Sequence, residues 1–490
     1  MDKKGVSSKK KARQQNLIKA LGSVVVLAVI VAAIFGLKSV VSIDKKESED
    51  DSKAVAASTN AVNDKEKVEP KDEEPSVSDQ EMMKTALVEE ADLLAASYDY
   101  DNAIEKIKTW PDYEKDSTLT GKITEYETTK ASCVEVNLDE VTHVFYHSLV
   151  VDPVKCFSNQ DSDAQAAGNN QWMTTVDEFK KITQEMYDRG YVLVSLHDLA
   201  QETTDESGNT VFEKGKIMLP PGKKAFVLSI DDLSYYHSYD GYGYASKMIL
   251  VDGKPKNEYI NDSGAVEVGD FDVVPILDSF IEEHPDAAYQ GAKGIIALTG
   301  YNGVLGYRTD QSYQDAPDDL YADKVAWLQD NPDFSLEKER EEAKKVADAM
   351  KAEGWEFASH TWGHLRVGSS SLERLQTDTA KWKENIEPIV GPTDTIIFAH
   401  GEDLQGWGDY DKSNEKFQYF YNQGYRFFCN VDSNQYRLHV GDTYVRQGRR
   451  NLDGYRIYFN AIGEMDSVSD LFDAKEILDP LRPPVQRLGE

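Results

Sequence analysis

Cysteine is scarce: the 490 residues contain three, Cys133, Cys156 and Cys429, with no C-x-x-C spacing. That set builds neither a disulfide framework nor a cysteine-based zinc module. Positive charge is also short. Against 87 Asp and Glu stand 54 Lys and Arg, a formal charge of −33. Such a surface excludes nucleic acid, and anionic lipid, as partners of the folded part. Long apolar runs are missing except for one, "LGSVVVLAVIVAAIFGL" from Leu21 to Leu37.

As a helix that run rises about 25 Å, enough for a bilayer core if Lys38 snorkels and Val40 and Val41 extend it. Lys3, Lys4, Lys9, Lys10, Lys11, Arg13 and Lys19 precede it, and "DKKESEDDSK" follows. The positive-inside rule then predicts a single-pass protein of the cell membrane, with its N-terminus cytoplasmic and its bulk extracytoplasmic. A cleaved signal peptide is the alternative, but no convincing small-x-small site follows the apolar core. The expected organisation is a cytoplasmic basic tail over 1–20 and a transmembrane helix over 21–41. A disordered acidic linker follows over 42–77, then a helical stalk over 78–132 in which Met83, Leu87, Leu94 and Tyr98 recur at helical spacing.

From Val141 short apolar strands alternate with helices: "HVFYHSLV", "YVLVSL", "AFVLSI", "GIIAL", "EFAS", "TIIFA" and "RFFCNV" are separated by amphipathic segments such as "TVDEFKKITQEMYDRG". This alternation predicts an α/β domain over 138–475, a parallel sheet covered by helices and closed as a (β/α) barrel. Functional side chains then belong where strands end.

Two strand ends carry chemistry. "AFVLSI" runs into Asp231 and Asp232, and "WEFASHTWGH" places His360 and His364 just past a strand. Adjacent carboxylates at a partly dry strand end repel each other unless something uses them. They can simply cap a turn, and two histidines on a loop can be unrelated. Taken together, Asp232, His360 and His364 make a two-His-one-carboxylate set with room for water, and Asp231 remains as a base. Such ligands suit Zn²⁺ by default, with Co²⁺, Ni²⁺ or Mn²⁺ compatible.

"AFVLSIDD" followed by "SHTWGH" resembles the polysaccharide deacetylases of the NodB-homology type. "VFYHSLVVD" with "MTTVDEFKKITQEMYDRGYVLVSLHDL" resembles the branch that opens on a Tyr-His strand. The resemblance implies a distorted (β/α) barrel that hydrolyses N- or O-acetyl groups from a polysaccharide, peptidoglycan or an exopolysaccharide. Asp231 is then the base, and Asp232, His360 and His364 hold a divalent metal, Zn²⁺ first. Leu233 stands where the family has glycine, and Ala399-His400-Gly401 replaces the third motif. Backbone N–H groups near Gly401 are the expected oxyanion donors. The late histidine acid has no clean match, which leaves His400 and His439 as candidates. Arg449 and Arg450 are expected to orient an acidic partner or the substrate. Tyr235 and Tyr236 open a long insertion, about 233–335, whose tyrosines form a sugar-stacking wall or a packed hairpin. His147 reads as a packed barrel residue on a strand aimed at the same mouth. The altered motifs leave a non-catalytic carbohydrate-binding protein on the same scaffold as the alternative.

Overall fold

The computed structural model describes residues 77–315, 322–406, 408–431 and 436–488. The expected tail, transmembrane helix and nearly all of the acidic linker fall outside the described residues. Among those described, no helix is long and apolar enough to cross a membrane. The chain divides into two units, Met1–Glu90, described only from Val77, and Ala91–Glu490.

Three helices open the described chain: α1 (Val77–Ala96), α2 (Tyr100–Lys108) and α3 (Ser117–Ser132). Asp99 and Asp116 cap α2 and α3 by accepting first-turn N–H groups. Within the second unit, Tyr98 donates its hydroxyl to the Asp286 carbonyl at 2.8 Å and stacks on Tyr289.

Eight strands then alternate with helices: β1 (Thr142–Tyr146), β2 (Tyr191–Leu193), β3 (Lys224–Asp231), β4 (Ile295–Leu298), β5 (Glu356–Ser359), β6 (Thr395–Ile397), β7 (Phe427–Val431) and β8 (Val445–Asn451). Parallel pairings run β1–β3–β4–β5–β6–β7–β8 and return from β8 to β1. Seven strands therefore close a barrel, the α/β architecture expected from the alternation. The eighth, β2, pairs with the start of β3 (Leu193 beside Phe226), and β4 takes over the same edge from Ser229. β5 and β6 share a single residue pair, Ser359 with Ile396, which distorts the ring there.

Alternation along β3 sorts its side chains. Leu228 and Ile230 join the outer core formed with α4 (Val176–Asp188), α5 (Val273–Glu283), α6 (Leu336–Ala352) and α7 (Leu372–Asn385). α4 contributes Phe179, Ile182 and Met186 at helical spacing, and Thr175 and Glu178 cap it reciprocally. Each such side chain stabilises the fold by about 1.5–3 kcal/mol on burial. Ser229 and Asp231 face the other way, into the barrel.

Between β3 and β4 the chain adds a three-stranded antiparallel sheet, Lys247–Val251, Lys254–Ile260 and Val266–Gly269. Its first hairpin turns on Asp252 and Gly253, both at positive φ. At the N-terminal ends of β5 and β6, His197 lies between Glu356 (2.7 Å) and Asp394 (3.0 Å). Burial lowers its pKa, but the bonds to Asp394 and Glu356 outweigh burial and raise it to about 10. The three cysteines are free and buried.

Candidate metal centre at the barrel mouth

Asp231 ends β3, and the turn after it is left-handed at Asp232 (φ 62°) rather than at the position held by Leu233. A left-handed aspartate is tolerated where its side chain is tied down. The Tyr236 hydroxyl donates to Asp232 Oδ1 at 2.6 Å. Neighbouring carboxylates thus diverge, Asp231 into the barrel and Asp232 toward the loop after β5.

That loop carries His360 and His364 and is itself strained, with Thr361 at φ 62° and His364 at φ 52°. Asp378 on α7 holds it, accepting the N–H of Trp362 at 2.8 Å and of Gly363 at 2.7 Å. The Trp362 carbonyl accepts from Gly300 and Tyr301 of the loop after β4.

Asp232, His360 and His364 each offer a ligand atom, all within 4.8 Å of one another. His360 Nδ1–H donates to the Ile397 carbonyl at 2.8 Å, which leaves the Nε2 lone pair facing the cluster. Burial pushes the His360 pKa down to about 4 against the pull of Asp231 and Asp232, so the ring is neutral at physiological pH. Burial also acts on Asp232, but His364 and His360 outweigh it and hold the carboxyl below the usual range. Two neutral-capable imidazoles and one ionised carboxylate fit a divalent cation.

Asp231 is gripped by Arg449, Nη1 to Oδ1 at 2.7 Å and Nη2 to Oδ2 at 2.9 Å. Burial raises the Asp231 pKa, yet the charges of Arg449 and His360 hold it well below the carboxylate range. Behind the pair runs a polar line through the barrel. Arg449 donates to Ser229 Oγ (3.0 Å), Ser229 to His143 Nε2 (3.0 Å), and His143 Nδ1–H to Gln447 Oε1 (3.1 Å). His143 stays neutral because burial and Arg449 both disfavour its cation. The Arg449 guanidinium also lies 4.1 Å from the Phe145 ring centroid.

The other expected site residues divide. His400 lies at the rim, its ring 4.2 Å from that of His364. His147, half-buried and one residue past β1, follows Tyr146, which pairs with Ile230, so it stands level with Asp231 at the strand ends. It therefore belongs to the mouth and not to the packed wall. The usable signal was its place at the C-terminal end of a parallel strand.

Other expectations are corrected. His439 pairs across from Arg446 and contacts Asp409. Arg446 precedes Arg449 by three strand residues, roughly 10 Å, so His439 lies toward the far end of the barrel. Arg450 points out of the barrel to Asp470 (2.8 Å), as alternation after Arg449 requires. Tyr235 is 2% exposed, with its hydroxyl on Asp272 at 2.9 Å, and presents no face to a sugar. The Gly401 N–H is taken by the Phe398 carbonyl in a tight turn and is no oxyanion donor. Tyr236 is buried too; it stacks on Tyr301 (5.1 Å) and serves the site by holding Asp232.

The polysaccharide deacetylase family model matches residues 333–402, the segment that carries α6, β5 and both histidines. Among solved structures, the Streptococcus pyogenes deacetylase PplD in complex with acetate aligns over 66% of this chain and 95% of its own, at 16% identity and a TM-score of 0.32. No curated protein matches significantly. Similarity to the polysaccharide deacetylase family is thus carried by the segment spanning His360 and His364.

Proposed function

We propose that the protein removes N- or O-acetyl groups from an extracellular polysaccharide with the help of one divalent metal, Zn²⁺ by its donor set. The carrying observation is the convergence of Asp232, His360 and His364 beside an ionised Asp231 at the C-terminal mouth of the barrel. When bound there, such an ion polarises the acetyl carbonyl and lowers the pKa of a water to about 7.

The chain's own groups do the rest. Asp231, fixed by both nitrogens of Arg449, keeps a charged oxygen toward the cluster and takes the proton of the attacking water. His147, just past the end of the neighbouring strand β1, delivers a proton to the departing amine or alcohol. His400, beside His364, is the second candidate for that transfer. Tyr236 and Asp378 keep Asp232 and the histidine loop in place.

On this reading the basic tail over 1–20 is cytoplasmic, 21–41 anchors the protein in the membrane, and 42–77 and 78–132 tether the barrel outside. Peptidoglycan is the first substrate to try and an exopolysaccharide the second.

Acetate release from both polymers by the metal-loaded full chain tests the proposal. Asp232→Ala should lose metal and activity together, whereas Asp231→Asn keeps metal and loses activity. A fully active Asp231→Asn removes the base assignment. Tight glycan binding without acetate release by the wild type replaces the enzyme with the carbohydrate-binding alternative.

A further inference from the structure

A groove of about 1030 Å³ opens on His364, and its walls are unlike the rest of this acidic chain. α7 turns Arg374, Thr377, Asp378 and Lys381 toward it, the i, i+3, i+4 and i+7 positions of one helical face. Opposite stand Tyr301 and Trp362, and Lys324 completes the wall. Lys381 Nζ lies 4.2 Å over the Trp362 ring, and Lys324 Nζ donates to the Tyr301 carbonyl. Two carboxylates share the groove. Asp378 is turned inward onto the N–H groups of Trp362 and Gly363, which leaves Glu373 on the rim. Arg374 and Lys381 are both exposed.

A chain of formal charge −33 repels an anionic polymer at long range. Within a Debye length of about 8 Å, only local cations reverse that repulsion. A neutral polymer has no use for them. We infer that this groove seats an anionic group of the glycan, a carboxylate or phosphate on a sugar adjoining the acetylated one. The inference rests on the deacetylase reading and adds to it the substrate's charge. The guanidinium of Arg374 supplies the forked contact for the anion, and Lys381, seated over the Trp362 ring, offers a second cation beside it.

The test uses the metal-loaded full chain and the double variant Arg374→Gln/Lys381→Gln. Substrates are a hyaluronan hexasaccharide, in which N-acetylglucosamine alternates with a carboxylate sugar, and neutral chitohexaose. Acetate release gives kcat/KM for each, and calorimetry gives binding of each. The wild-type preference for the anionic substrate should fall about tenfold or more in the variant, mainly through KM. In the wild type it should also fall as salt rises from about 50 to about 500 mM. Glucose 1-phosphate and glucuronate as competitors separate the sources: stronger inhibition by the first points to phosphate, by the second to carboxylate.

A preference unmoved by the double variant overturns the inference, even if stability drops, because the cations then serve only Asp378. If neither substrate releases acetate, the deacetylase reading fails by itself. Calorimetry then still decides the groove: hyaluronan binding weakened by the variant supports it, and equal binding refutes it.

Discussion

Replacing Arg449 by methionine tests the centre of the argument, because it leaves Asp231 buried without its cation. Arg449 is fully buried and Asp231 only 4% exposed at its side chain. Removing one member of such a pair costs about 3–5 kcal/mol, most of it from the orphaned charge. Over the roughly 400 residues of Ala91–Glu490, an unfolding entropy of about 2.1 cal/mol/K per residue converts this to a Tm drop of about 4–6 °C. The pH dependence says more than the size. In the wild type the Asp231 pKa is depressed, so its contribution is present above the unfolded value of about 3.9 and is lost as pH falls through the folded value. In Arg449→Met burial dominates and the folded pKa rises above about 3.9. The folded state then holds the extra proton, and stability falls as pH climbs from about 3.9 through the new value. Differential scanning fluorimetry from pH 4 to 7 should show the variant's Tm deficit widening with pH. Adding Asp231→Asn to Arg449→Met should recover part of the loss. A flat deficit of under about 1 °C with no such recovery refutes the pairing as described.

Three further outcomes follow from other contacts. Asp378→Asn turns one acceptor into a donor facing the Gly363 or Trp362 N–H, so the histidine loop should loosen and metal affinity fall about 10–100-fold in a chelator competition; unchanged affinity removes Asp378 from the site. His147→Ala should lower kcat on N-acetyl sugars by about 10²–10⁴ at constant metal content. It should spare p-nitrophenyl acetate, whose leaving group needs no proton, and an equal loss on both substrates contradicts the proton-donor role. His197, raised to about 10 by Asp394 and Glu356 against burial, stabilises the fold fully below about pH 6.5. That contribution drains away as pH rises toward 10, so wild-type Tm should decline over this window more steeply than that of His197→Gln; parallel curves count against the clamp.

The parts of the barrel legible in the sequence are those whose strands face helices. β3 and β5 read as apolar runs ending in acids and histidines, and α4 as the amphipathic segment "TVDEFKKITQEMYDRG". β8 was not legible. "VRQGRRN" looks like surface charge because its inward side meets a polar barrel interior, with Arg449 on Asp231, while Arg446 is buried on Asp403. Alternating apolarity, the usual sign of a strand, is missing when both faces meet polar partners. The tyrosine cluster failed for a different reason. Tyr235 at φ 48° reverses the local direction, so Tyr235 goes to Asp272 and Tyr236 to Asp232. Composition alone assigns neither.

The polar line from Gln447 through His143, Ser229 and Arg449 to Asp231 has a meaning for descent as well as for chemistry. Each member answers the hydrogen-bonding need of the next, so a lone replacement strands a buried neighbour. The line can drift only as a block. A related barrel in which all five positions have turned apolar together has kept the shape and given up hydrolysis, whereas one that retains the block while its outer loops diverge has kept the reaction and changed what it is offered.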